Sequence, residues 1–454
     1  MKKSSELKVE PLELASDLAK RLKSKSLEGW EIFLQSEQGV SIEARDQKLE
    51  SFENENTLSL AIRVIDQGRP GFAYCSDFRD RQISRLLDEV LNGAKHADRD
   101  QFLTIPEPDG PALVMPAVLD PDFQKQGEQE KISRAMAMEK TALDFDNRIK
   151  RVRGCEYHEN LVGVWIMNSK GMSRSCKSTR FSLSISAVAQ QGKDAQMAGE
   201  FDWSFRYNML DSGRLGKSVA KKALAKLGAK PIKSRKAAVV FSPQVAGEFM
   251  DLLSFALNGE SLAKQKTWLA GTEGRKIFSE NITVMDNGLF EKGPECSPFD
   301  DEGVNSRNKE LVKDGVVKQF MFDSYYGRKM KKQSTGNAKR EMITMPPAPG
   351  PSNFYLKPGK KSRNQLISSI SSGFLLEEVL GMHMADEISG DFSVGVSGHL
   401  IENGKISEPV SGVAIAGNLK NLFSRVAEVG NDLKFFNKAA APTILIEEME
   451  ISGS

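Results

Sequence analysis

Hydrophobic and polar residues alternate along much of the first hundred positions, between two segments with helical spacing. Residues 11–25 and 77–94 carry apolar side chains every three to four positions, which predicts a helix in each, the second one capped by Asp77. Strand-like alternation lies between these helices, at residues 30–35, 40–45, 57–65 and 72–75. The pattern therefore predicts a strand meander flanked by two helices.

The next hundred residues change pattern twice. Four prolines within residues 105–117 predict an extended crossing segment, because proline has no backbone N–H to donate. Helical spacing returns at residues 128–144 and 213–227, and the stretch 151–190 predicts consecutive strands. Residues 228–234 offer a domain boundary.

The second half begins with a short apolar run at residues 237–241, which predicts a buried strand. Ser242 and Pro243 then favour the start of a helix that reaches about residue 257. The polar, glycine-bearing stretch 259–275 predicts a mobile loop. Strands dominate afterwards, with two short helices; the strands fall at residues 282–284, 316–323, 392–401, 412–415 and 443–446, and the helices at residues 364–372 and 418–426.

Length and pattern together predict an α+β fold of two domains. A chain of 454 residues exceeds what one hydrophobic core usually organises. We expect an N-terminal α+β domain over residues 1–229, in which a strand meander packs with helices, and a β-rich C-terminal domain over residues 230–454.

The charge balance argues against a nucleic-acid partner. The formal net charge is +2, which gives no long-range field of the strength that such binding needs. The lysine-rich stretch 214–236 has helical spacing, so a solvated helix face is favoured over a phosphate-binding patch.

Cysteine usage and the absence of long apolar runs predict a cytoplasmic protein. Four cysteines are widely spaced and form no Cys-x-x-Cys pair, which is typical of free thiols in a reducing compartment; they are Cys75, Cys155, Cys176 and Cys296. The basic N-terminus lacks the apolar stretch of a signal peptide, and no run approaches the ~20 apolar residues that cross a membrane.

Two blocks resemble the signatures of the TldD/PmbA family, in which PmbA is also called TldE. They are residues 298–307 (PFDDEGVNSR) and residues 391–421, and a weaker likeness covers residues 63–94. The resemblance implies the family's two-domain fold. The family has also been named as a modulator of DNA gyrase, but the charge of this chain offers no support for direct DNA binding.

In the resembled family the TldD subunit is a zinc peptidase with a His-Glu-x-x-x-His helix, which follows a strand like residues 238–241. The matching histidine positions here are Met250 and Phe255, and the matching glutamate position is Asp251. A cysteine ligand of that family has no counterpart in residues 430–442. The resemblance therefore implies the PmbA/TldE type, with no metal ligand in this chain and the zinc in a TldD-type partner.

The chain has four histidines, and no two of them stand four or five residues apart: His96, His158, His383 and His399. His158 lies beside Glu156 and Glu159, and His383 lies near Asp386 and Glu387. A surface hydrogen-bonding role is favoured over a metal at either place, because no spacing puts two strong ligands on one face.

Two further stretches carry candidate chemistry. The three carboxylates of residues 299–303 favour a structural role over acid–base catalysis, since no nucleophile or metal is near in sequence. Residues 334–340 resemble the family's Ser-x-Gly-Asn-x-x-Arg stretch. With residues 259–275 they are predicted to border a peptide channel, the alternative being ordinary solvent loops; the predicted peptide-binding residues are Trp268, Asn337, Lys339 and Arg340.

The resemblance implies a non-catalytic subunit of a cytosolic TldD/TldE zinc metalloprotease that processes leader peptides and degrades unfolded polypeptides. No catalytic residue is predicted in this chain, and a TldD-type subunit and an extended peptide are the predicted partners. Two alternatives stay open: a self-sufficient metallopeptidase with an unrecognised metal site, and a homodimeric peptide-binding or regulatory protein.

Overall fold

The structure is a computed structural model that describes residues 10–453. The first nine residues, on which much of the signal-peptide argument depends, lie outside the described residues. Within the described part, no helix is long and apolar enough to cross a membrane.

An antiparallel six-stranded sheet forms the first half of the molecule, in the order β3-β2-β1-β4-β5-β6. Its strands are β1 (Gly29–Arg45), β2 (Lys48–Asp66), β3 (Arg69–Cys75), β4 (Ile149–Asn168), β5 (Ser173–Gln191) and β6 (Asp194–Ser204). The predicted strands 30–35 and 40–45 are therefore one strand, because β2 pairs with β1 along its whole length.

Four helices cover one face of this sheet: α1 (Pro11–Lys23), α2 (Asp80–His96), α3 (Glu128–Leu143) and α4 (Ser212–Ala225). Alternate residues of β1 explain the arrangement. Trp30 and Ile32 pack with α1 and α2, whereas Ile42 and Ala44 point to the same side and pack with α3 and α4.

Two more six-stranded sheets build the second half. One has the order β16-β15-β14-β7-β20-β17 and closes on itself, because β16 also pairs with β20. Its strands are β7 (Arg235–Phe241), β14 (Ser372–Leu380), β15 (Asp391–Glu402), β16 (Lys405–Asn418), β17 (Val426–Val429) and β20 (Ile444–Ser452). The other, here called the groove sheet, has the order β10-β9-β8-β13-β19-β18; its strands are β8 (Val284–Asn287), β9 (Asn308–Lys313), β10 (Val316–Val317), β13 (Phe354–Leu356), β18 (Lys434–Phe435) and β19 (Ala439–Ala441). A small hairpin, β11 (Ala338–Lys339) with β12 (Ala348–Pro349), stands beside them.

Helix α5 (Pro243–Ala256) lies in the one apolar core that both of these sheets share. The remaining helices are α6 (Gly259–Ala263), α7 (Ser324–Lys329), α8 (Arg363–Ser368) and α9 (Leu419–Ser424), and short 3-10 turns occur at Pro116–Val118, Tyr207–Met209 and Met382–Met384. The core joins Phe249 and Leu253 of α5 to Phe241, Phe354 and Phe374 of the surrounding strands. Burial of such side chains typically contributes about 1.5–3 kcal/mol each.

The mixed, strand-rich fold predicted from the sequence is confirmed, and several local expectations are corrected. Asp77 does not cap α2, which begins at Asp80; its carboxylate accepts from the Arg79 backbone N–H instead. The predicted mobile loop begins with α6, and Gly259 and Leu269 are buried. The division at residue 229 stays a prediction.

Candidate functional site

Helix α5 follows directly on β7, the strand after which the resemblance predicts the family's metal-binding helix. The Ser242 hydroxyl accepts from the Val245 backbone N–H, and Pro243 sits in the first turn, where a missing N–H costs nothing. The cap and the helix start are as the sequence predicts. Because α5 lies between two sheets, most of its side chains face apolar neighbours.

The two family positions for histidine are not equivalent in space. Met250 is 0% exposed and is part of the apolar core, whereas Phe255 is partly buried and Asp251 is exposed. Zinc takes nitrogen, thiolate or carboxylate ligands and, in a catalytic site, keeps one position open for water. Met250 and Phe255 provide no such ligand, and Met250 is closed to water, so the side chains at the two family histidine positions do not fit a zinc ion.

The stretch 430–442 does come close to α5. A Cβ placed on Gly247 would lie 3.5 Å from the carbonyl oxygen of Ala439, so β19 runs directly beneath the helix. The two regions in which the family keeps its ligands are therefore neighbours here too. Small alanines occupy β19, and the stretch contains no cysteine.

Carboxylates gather on the outer side of α5. Burial, with the charges of Glu378 and Asp251, raises the pKa of Glu248 to about 7. Glu378 is itself held by Lys226 and by the Ser397 hydroxyl at 3.0 Å. Within residues 10–453, no three His, Cys, Asp or Glu side chains are grouped so that they could hold a metal ion.

The block 298–307 forms the joint between the two halves of the molecule. Phe299 packs against Phe33, Ala61 and Ile166, which lie on the face of the first sheet opposite its helices. The Asp300 carboxylate shapes the turn, because it accepts from the backbone N–H groups of residues 302, 304 and 338, each at 3.0 Å. The favoured structural role of these carboxylates is thus supported by their contacts.

A chain of buried charges completes this joint. Arg63 lies 2.9 Å from a carboxylate oxygen of Glu31, its cross-strand neighbour on β1, and 2.9 Å from one of Glu302. Arg340 pairs with the other oxygen of Glu31 and lies over the ring of Phe33. Side-chain exposure is 14% for Arg63 and at most 3% for the other three. The joint is therefore both apolar and ionic.

The predicted peptide-binding residues of stretch 334–340 lie mostly inside the protein. Asn337 is 0% exposed and donates to Asp286 at 2.8 Å and to the Gly350 carbonyl at 3.0 Å. Arg340 belongs to the joint, and Lys339 is partly buried with its ammonium 3.4 Å from Glu295. These three side chains therefore already have partners within the chain.

The fourth predicted residue, Trp268, has a different set of contacts. Its ring packs edge-on against Phe278 at 5.9 Å and touches Gly390, while its indole N–H is buried without a partner in the described part of the chain. As peptide-binding residues, Trp268, Asn337, Lys339 and Arg340 all stay predictions.

Sequence reasoning missed Glu31 and Arg63. The available signal was one charged residue inside each of two apolar strand runs, since burying a charge is costly unless an opposite charge meets it. What the pattern could not show is the third partner, Glu302, which stands 239 residues further along the chain.

The histidines that flank acids make ordinary side-chain contacts. His158 is exposed and lies 3.2 Å from Glu156. His399 is buried; one ring nitrogen lies 2.7 Å from Glu377 and the other 3.0 Å from the Ala225 carbonyl, which ties α4 to the second half. His383 is exposed on its turn.

A pH dependence of stability follows from Asp323, which caps α7 next to the joint. It accepts from the Tyr326 backbone N–H at 2.7 Å, and burial together with the Glu302 charge raises the pKa of Asp323 to about 8. The folded state thus keeps a proton that the unfolded chain loses near pH 4, so the free energy of unfolding falls as pH rises from about 4 to about 8.

Asp323→Asn is expected to flatten this fall, because asparagine keeps the cap and carries no proton to lose. From pH 5 to pH 9, we expect the unfolding free energy of the variant to rise relative to that of the parent by on the order of 4 kcal/mol, which is about 1.4 kcal/mol for each pH unit below the folded pKa. Urea denaturation at both pH values measures it. Asp391→Asn, on an exposed carboxylate, is the matched control, and parallel pH profiles for Asp323→Asn and the parent would contradict the assignment.

The chain matches family models along nearly its whole length. Residues 30–95 match PmbA/TldA metallopeptidase domain 1, residues 121–227 the central domain of that family, and residues 234–453 its C-terminal domain. Among curated relatives, it is 30% identical to a metalloprotease PmbA of Escherichia coli O157:H7, over 97% of this chain and 96% of that one. A metalloprotease PmbA homolog of Buchnera aphidicola is 27% identical over 99% of both chains.

Solved structures share the fold. A putative modulator of DNA gyrase from Thermotoga maritima superposes with a TM-score of 0.90 at 24% identity, over 97% of this chain and all of the other. TldE from Thermococcus kodakarensis superposes with a TM-score of 0.88, also at 24% identity and with the same coverage.

Proposed function

Because the chain belongs to the PmbA/TldD metallopeptidase family, we propose that it is the subunit of the PmbA/TldE type, which binds no zinc and works with a zinc-carrying TldD-type subunit. In that complex, leader peptides are trimmed and unfolded polypeptides are degraded. The chain supplies walls for the peptide channel and exposed strand edges, along which an extended peptide can pair.

The observation that carries this proposal is the state of α5. A catalytic zinc needs three protein ligands and an open position. At the two family positions the helix presents a buried methionine, Met250, and a partly buried phenylalanine, Phe255, and the adjoining β19 is built of alanines. No hydrolytic step is therefore assigned to this chain.

Metal content and association test the proposal together. Purified without chelator, the chain is expected to hold far less than one zinc per molecule, whereas a TldD-type subunit prepared in the same way holds about one, because only that helix offers imidazole ligands. Elemental analysis measures this. Mixed in equal amounts, the two chains are expected to elute as one species in gel filtration with light scattering.

The alternatives correspond to other outcomes. Tightly bound zinc in this chain alone would favour a self-sufficient peptidase with an unrecognised site. A zinc-free chain that forms only homodimers and ignores the TldD-type subunit would favour a peptide-binding or regulatory protein.

A further inference from the structure

The outer face of the groove sheet is apolar where it would ordinarily be polar. Successive residues of a strand point to opposite faces, and Val284, Phe354 and Ala439 pack into the shared core. Their neighbours Met285 and Tyr355, each 8% exposed, point the other way and form a second apolar cluster with Phe435 and Ala440. Phe290, Leu433 and Trp203 of β6 pack against this cluster, so it is covered in part by the protein itself and open in part to the solvent. A sheet face that only met water would carry polar residues at these positions.

This face forms the floor of an open groove. Its volume is about 870 Å³. The rings of Phe290 and Tyr355 stack with their centroids 5.1 Å apart, which provides a flat aromatic surface. Ligand-binding clefts commonly measure roughly 300–1,000 Å³ and combine such apolar floors with a few polar groups.

Four charged residues line the groove, and the two that form no ion pair among the described residues are both lysines. Lys309 is buried and lies 2.9 Å from Asp286, and Glu310 pairs with Lys313 at 3.0 Å. Lys318 and Lys357 also line the groove; both are exposed, and neither has an ion pair among residues 10–453. Two lysines without an ion-pair partner among these residues therefore line the same groove as the aromatic rings.

We propose that this groove binds an extended segment of polypeptide substrate in which an apolar side chain is flanked by acidic residues. The inference rests on the proposed function, because it takes the docked chain to be substrate. The groove crosses the neighbouring strands β9, β8 and β13 and extends to Lys318 and Gln319, which directly follow β10. At about 4.8 Å between strands and about 3.3 Å per extended residue, it accommodates roughly four residues. The apolar side chain rests on Phe290 and Tyr355, and the carboxylates meet Lys318 and Lys357.

A binding measurement on the isolated chain tests this without the partner. The probe is a fluorescein-labelled hexapeptide with Phe-Leu in the middle and acidic residues on both sides; a second probe carries lysines in place of the acids. Fluorescence anisotropy is expected to show at least tenfold tighter binding of the acidic peptide at low salt, and this preference shrinks as salt rises.

The variant Lys318→Glu/Lys357→Glu is expected to weaken binding of the acidic peptide at least tenfold. Both side chains are exposed, so folding is unaffected, as circular dichroism checks. Lys405→Glu, on an exposed lysine of the β15–β16 turn, is the matched control and keeps full affinity. Phe290→Ala is expected to weaken the binding of both peptides, because it removes one of the two stacked rings.

Equal affinity for the two peptides would overturn the proposal, and so would full affinity in the double lysine variant. Dimers of the parent that the double variant dissociates would identify the groove as an interface between copies instead. These outcomes are independent of zinc content and of association with a TldD-type subunit, so a failure here is distinct from a failure of the proposed function.

Discussion

Mixing this chain with a TldD-type subunit is expected to produce cleavage of an unstructured peptide that the chain alone does not perform. Hydrolysis needs an activated water, and a catalytic zinc provides it by lowering the pKa of bound water to about 7. Among residues 10–453, no three His, Cys, Asp or Glu side chains are grouped so that they could hold that ion. Enzymes accelerate reactions by roughly a millionfold or more, so cleavage by the pair is easily detected. The isolated chain has no such site in its described part to activate water and should not exceed the uncatalysed rate.

Mass spectrometry of the products over time measures this result. As a control, replacing the glutamate of the partner's His-Glu-x-x-x-His helix by glutamine should abolish cleavage by the pair while association persists. The opposite finding would be cleavage by the isolated chain that Glu248→Gln or Asp251→Asn removes, because those acids on α5 would then belong to a catalytic site of this chain.

Arg63→Met is expected to cause the largest loss of stability among single substitutions in the joint. The change leaves Glu302, with 0% side-chain exposure, without an opposite charge, and removes one of the two partners of Glu31. Removing one member of a buried ion pair typically costs about 3–5 kcal/mol, since the remaining charge stays buried. Urea denaturation followed by circular dichroism measures the change.

Two comparisons separate the charge from the bulk of the side chain. Arg63→Met/Glu302→Gln is expected to be more stable than Arg63→Met alone, because the stranded carboxylate is gone. Arg79→Met, which breaks the exposed pair with Asp77, should leave the midpoint unchanged. If the Arg63→Met variant is as stable as the parent, the joint is held by its apolar contacts alone.

Local signals in the sequence were sufficient for elements that depend on neighbouring residues. Ser242 and Pro243 begin α5 as expected, and Asn418 caps α9, where its side chain accepts from the Lys420 backbone N–H. The apolar run 237–241 is a buried strand with neighbours on both sides. In each case the residues that determine the element lie within a few positions of it.

Features that depend on distant residues could not be predicted in the same way. The apolar cluster beneath the groove takes Met285, Tyr355 and Ala440 from three strands that are separated in sequence but adjacent in the sheet. The stretch 259–275 contains glycines and lysines, yet Leu269 is drawn into the shared core and Thr267 donates to the Ala256 carbonyl at 2.7 Å. Tertiary packing overrides the local composition there.

The joint also has a consequence for synthesis on the ribosome. Arg63 emerges 239 residues before Glu302, an interval of about 10 to 50 s at usual elongation rates. Glu31 and Arg63 can neutralise each other meanwhile across β1 and β2, but the cluster of Phe33, Ala61 and Ile166 lacks the cover of Phe299 until that residue is made. We expect the nascent first half to present this apolar face to chaperones, and a truncated chain that ends before residue 298 to aggregate through it.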